Sequence, residues 1–128
     1  MKAQTHLKHK PIVSVDDYED IDGKYAGNTD AKALSLGWAQ YDADELSLKT
    51  WRMGDRGWSR MSEELPIHRN LDLTILFLKT LIGDECKKLH FNHDLGNEQD
   101  ILDYYEANKE YLEPRLKEIK ELLNKMEL

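Results

Sequence analysis

The chain has 128 residues, 40% of them hydrophobic and 34% charged, and a formal net charge of −7. That length favours one domain with a real core, and three tryptophans with six tyrosines carry too much apolar surface for a disordered chain. The acidic balance supplies no basic field for a nucleic-acid backbone, and the single cysteine, Cys86, excludes an intrachain disulfide and agrees with a reducing cytoplasmic interior.

The first ten residues are polar and basic, lack the apolar centre of a signal peptide, and are expected to form a mobile arm. Pro11 to Val15 reads as a short extended segment, because a proline opens it and Ile12, Val13 and Val15 are β-branched. An acidic stretch follows, Asp16, Asp17, Glu19, Asp20 and Asp22, closing on Gly23. Aligned as a calcium loop on Gly23, it puts Tyr18 at the first ligand position and Thr29 at the twelfth, where carboxylates are required. A solvated acidic loop is the expectation. Asp30 is a good N-cap, which predicts a helix over 31–41 with Ala31, Leu34, Trp38 and Tyr41 on one face. The charge of Asp30 opposes anion binding at that helix start.

Leu46 to Met53 and Trp58 to Met61, around Gly54-Asp55-Arg56-Gly57, predict a β-hairpin over 46–61. Facing Met53 with Trp58 puts Leu46, Leu48, Thr50 and Met61 on one side of the ribbon. Lys49, Trp51, Met53, Trp58 and Arg60 fall on the other. Pro66 then opens an apolar helix over 66–82, where Ile67, Leu71, Ile75, Leu78 and Ile82 recur at helical spacing beside Leu73, Leu76 and Phe77. Apolar over most of its circumference, it is expected to be the buried central helix. Asp72 and Lys79 interrupt it, and it falls short of the roughly 20 apolar residues of a membrane span. After a loop from Asp84 to Asn97, helices are predicted over 98–110 and 114–127, separated because Pro114 cannot sit deep inside a helix. The fold class is α+β: a small antiparallel sheet packed on a buried central helix, with further helices around it.

Three groups of residues carry chemistry. His68 and Asp72 lie one helical turn apart, where a carboxylate orients an imidazole as in a general-base dyad, and Arg69 or Arg60 would hold an anion. Surface ion pairing near a helix end is the plainer account, and no nucleophile elbow accompanies the dyad. Cys86, His90 and His93, with His6 and His9 as outside donors, are zinc-compatible ligand types at a spacing that matches no closed finger. Trp51, Trp58, Arg60 and Glu64 form a Trp/Arg-rich surface suited to a partner or ligand, although tryptophans in a chain this size more often fill the core.

From His9 to about Leu78, through HKPIV, DGKYAGNTDAKALSLGWAQ, KTWR and WSRMSEELPIHRNLDL, the chain resembles a family of short uncharacterised bacterial proteins. The resemblance implies a stand-alone bacterial domain and brings no activity, cofactor or catalytic residue. The C-terminal helices lie outside it. The function expected from these observations is a non-enzymatic binding domain, with a homodimer as one arrangement and a protein or small ligand as partner. The alternatives are a small hydrolase using His68–Asp72 and a metal-binding protein using Cys86, His90 and His93. Neither a cofactor nor a membrane is expected.

Overall fold

A computed structural model describes residues 1–3, 9–58, 63–84 and 88–128. The element order is β1 (Lys10–Val15), β2 (Ala31–Trp38), β3 (Leu46–Gly54), β4 (Gly57–Trp58), β5 (Glu64–Pro66), α1 (Ile67–Ile82), α2 (Gln99–Ala107) and α3 (Lys109–Met126), with two 3-10 turns at Tyr18–Asp20 and Gly23–Tyr25. The class is α+β with an antiparallel sheet. The chain divides into two compact units, Met1–Ile75 and Leu76–Leu128.

In the first unit β3 is the central strand. It pairs with β2 on one side and with β4 and β5 in succession on the other, and β1 adds to the far edge of β2. The hairpin forms as expected, with Met53 opposite Trp58 and Gly54 opposite Gly57. Its loop tightens to Asp55-Arg56, and Gly57 takes the positive φ of 105° that closes it. The continuation of the second strand over 59–62 lies outside the described residues.

The segment expected as a helix over 31–41 is instead strand β2. Ala31, Leu34 and Trp38 fit a helical period, but the segment as a whole also alternates. Ala31, Ala33, Ser35 and Gly37 are buried, while Lys32, Leu34 and Leu36 are half-buried and Trp38 is exposed. Ladders on both edges then decide the conformation. Gly37 belongs to this strand for a steric reason: a Cβ there would run into the Lys10 carbonyl. The bare backbone admits Lys10 and Pro11 against β2 and draws the preceding residue, His9, over the sheet. The arm expected over residues 1–10 does not take in His9, which is 0% exposed, or Lys10, which belongs to β1. Residues 4–8 lie outside the described residues.

Helix α1 has the expected extent but not the expected burial. None of its residues is buried, and Leu71 is 55% exposed. Helical spacing shows which side is apolar and is silent on what covers it. In the second unit the break between the last two helices falls at Asn108, not at Tyr111 to Glu113. Asn108 leaves helical geometry at φ −114° and ψ 16°, and its carbonyl accepts the N–H groups of Tyr111 and Leu112. Pro114 lies inside α3, one and a half turns from its start. Among the described residues no helix is long and apolar enough to cross a membrane.

Candidate functional site

The pleat gives the sheet of the first unit two unlike faces. Cross-strand pairs Val13–Leu36, Val15–Leu34, Leu36–Leu48, Leu34–Thr50 and Leu48–Leu65 put one set of side chains together. They line a groove of about 410 Å3 whose rim carries Ser14, Glu63 and Asn70. Its floor is mainly aliphatic, with Thr50 the polar member of these pairs.

The opposite face is polar and closed. His9 lies over it with its Nε2 2.8 Å from Ser35 Oγ and its Nδ1 3.0 Å from Ser47 Oγ and 3.3 Å from Glu64 Oε1. The surrounding donors settle the protons. Trp51 Nε1–H donates to Ser35 Oγ at 2.8 Å, and the Ser47 hydroxyl donates to Glu64 Oε1 at 2.8 Å. With the Ser47 hydrogen committed, its oxygen accepts from His9 Nδ1–H, and the bare Nε2 accepts from the Ser35 hydroxyl. The neutral imidazole therefore has both nitrogens satisfied.

Electrostatics agree with that assignment. Burial holds the His9 pKa below its ordinary 6.5, outweighing the attraction of Glu64, while Lys49 pushes the same way as burial. Burial also acts to raise the Glu64 carboxyl. The Gln40 N–H at 2.8 Å, the Ser47 hydroxyl and His9 together prevail and hold it below its ordinary value. Glu64 is thus an ionised acceptor beside a neutral histidine. Trp51, 1% exposed, meets the edges of His9 and Trp58 at centroid distances of 5.8 Å each, with Lys49 Nζ 4.1 Å from its ring centroid.

Ser35, His9 and Glu64 follow one another as hydroxyl, imidazole and carboxylate, the order used in nucleophilic hydrolysis. Access is what differs. Ser35 is 5% exposed, its oxygen already accepts the Trp51 N–H, and His9 has no exposed surface. An acyl group has no approach to that oxygen in this arrangement. What the network does is fasten the residue ahead of β1 to β2, β3 and β5 through directional bonds, each costly to leave unmade once buried.

The residues singled out in the sequence are dispersed. Trp51 and Trp58 do meet, and Glu64 lies near Trp51 through His9 and Lys49, but Trp51 is covered by His9 and Ser35. Arg60 lies outside the described residues. His68 and Arg69 are exposed on the first turn of α1, with Asp72 one turn on. No hydrogen bond or ion pair joins these three among the described residues. Cys86 and His6 lie outside the described residues, His90 is exposed, and His93 Nδ1 is 2.7 Å from Glu98 Oε1. Among the described residues no group of three or more His, Cys, Asp or Glu side chains is placed to hold a metal. Asp30, the expected helix cap, instead pairs with Arg52 at 2.9 Å. The sequence reading missed His9, Ser35 and Ser47 as partners. The alternation of small with large residues over 31–38 was the available signal.

The family model described as a family of unknown function (DUF6530) matches residues 1–91. The chain belongs to this family. The DUF6530 match takes in every strand of the sheet, the closed network, the groove and α1, and it ends before α2 and α3. No curated protein and no solved structure matches the chain.

Proposed function

We propose that this DUF6530 protein is a non-enzymatic, cytoplasmic binding domain whose partner-facing surface is the aliphatic groove on the β1–β2–β3–β5 face. The observation that carries this reading is the contrast between the two sides of one sheet: the polar side is closed by a satisfied network, and the aliphatic side is left as a concavity. A volume of about 410 Å3 lies within the range of roughly 300–1,000 Å3 typical of binding clefts, and a mainly apolar lining with a few polar rim groups is their usual composition. The chemistry that fits it is aliphatic, with a hydrogen-bonding group toward Glu63 and Asn70.

The test uses the dye 8-anilinonaphthalene-1-sulfonate on dilute native protein. Dye fluorescence is expected to rise, to be lost in Leu36→Asp and Leu48→Asp, and to persist in Leu71→Glu on α1. Circular dichroism and tryptophan emission check that each variant folds. Equal dye binding by all four proteins would sink the reading.

A further inference from the structure

The groove and α1 are two apolar surfaces of one chain. Val13 at the groove edge is 61% exposed, and Leu71 and Ile75, one turn apart on one face of α1, are both exposed. Soluble chains rarely leave contiguous apolar surfaces of this kind without an occupant. The connection between them limits how α1 can be used. β5 ends at Pro66 and α1 begins at Ile67, with no residue between. Connections that return a helix across its own sheet commonly run about two to six residues, and short strained hinges favour exchange between copies. We propose that the occupant of the groove is α1 of a second copy, exchanged reciprocally about a two-fold axis. This inference rests on the groove being the binding surface.

The areas match that arrangement. Strands β1, β2, β3 and β5 have six, eight, nine and three residues; at about 3.3 Å per residue and about 4.8 Å apart they present roughly 400 Å2. The 16 residues of α1 span about 24 Å and offer a stripe of similar size. One helix-on-sheet contact gives each partner about half of the ~800 Å2 that a stable interface buries, and two reciprocal contacts come close to the whole. A two-fold dimer supplies both, because every residue of an isologous interface is used twice. Each copy carries a net charge of −7, so the contact is apolar against electrostatic repulsion and strengthens as salt screens that repulsion.

Sedimentation equilibrium on the full chain tests this. The protein is expected to be dimeric and to associate more tightly at 0.5 M than at 0.05 M NaCl. Val13→Glu, at an already exposed groove-edge position, and Leu71→Glu, on exposed α1, are each expected to weaken association at least about tenfold, since each places a carboxylate in an apolar contact. Mixing the two variants leaves one undamaged helix-on-sheet contact and is expected to associate more tightly than either variant alone. A sheet-to-sheet or helix-to-helix dimer would show no such recovery, and that result overturns the proposal. A monomeric chain that still binds the dye in its groove overturns the second copy and leaves the groove reading standing. A monomeric chain that binds none overturns both.

Discussion

His9 Nε2 and Ser35 Oγ lie 2.8 Å apart on the closed side of the sheet, and the same serine oxygen receives the Trp51 indole N–H at 2.8 Å. Removing that one hydroxyl leaves a buried imidazole nitrogen and a buried indole donor without partners. Ser35→Ala is therefore expected to cost about 1–3 kcal/mol, measured by urea unfolding. A fluorophosphonate probe is expected not to label Ser35 in the native protein. Stoichiometric labelling lost in Ser35→Ala would show that the serine is reachable.

Acid destabilises through His9. Its folded pKa lies below 6.5, so between that value and 6.5 the unfolded chain binds the extra proton. Stability is then fully present above pH 6.5 and is lost as pH falls toward the folded value. The charged groups facing His9 are Glu64 and Lys49. Glu64, also depressed, adds a second loss beginning below its ordinary 4.5. Urea midpoints taken from pH 8 to about pH 3 should fall in these two windows. In His9→Gln the first fall should vanish while the second remains.

Glu64→Gln keeps the shape of the side chain and removes its charge. Two donors, the Gln40 N–H and the Ser47 hydroxyl, converge on one of its oxygens, and His9 Nδ1 lies 3.3 Å from the same atom. Bonds to a charged acceptor are about twice as strong as neutral ones, so a loss of about 1.5–3 kcal/mol is expected. The lower pH step should disappear in this variant. An unchanged urea midpoint at pH 7 would show that the charge contributes nothing.

Gly37→Ala tests the seating of β1. The added methyl meets the Lys10 backbone, so β1 must shift away from β2, at a cost of about 1–3 kcal/mol of the size seen for overpacking. Hydrogen exchange should speed up over Lys10–Val15 and change little in β3. Uniform loss of protection across the sheet would contradict the local account.

Pro114→Ala is expected to stabilise. Proline in a helix interior removes a hydrogen bond and disfavours the helix by up to about 3 kcal/mol relative to alanine. Lys109–Met126 carries it inside the helix. The Arg115 side chain donates to the Tyr111 carbonyl at 2.7 Å, just beside the site of the missing bond. Higher helicity and a higher melting temperature are the expected readings.

The legible parts of the fold are those in which one short-range signal decides. Two glycines bracketing Asp55-Arg56 predicted the hairpin, and Met53 does face Trp58. Pro66 predicted where α1 starts to within a residue. The segment 31–38 satisfies two periods at once, Ala31, Leu34 and Trp38 at helical spacing and Ala31, Ala33, Ser35 and Gly37 at a spacing of two, and only the neighbouring strands choose between them. His9 read as the tail of a basic arm because nothing local marks a histidine that a glycine 28 positions later draws against the sheet. The network was illegible for the same reason: its members are spread over the residue ahead of β1 and over β2, β3 and β5, and each looks ordinary in its own segment.

Strand β1 slips its register between Pro11 and Val13, where Ile12 is the extra residue against β2. Pro11 offers no N–H, and the kink of a bulge spoils the straight row of amides and carbonyls that another strand would read. Ile12, Val13 and Val15 remain exposed alongside, a combination that in a flat edge would seed fibrils. The irregularity thus hinders an endless, side-by-side extension of the sheet through β1.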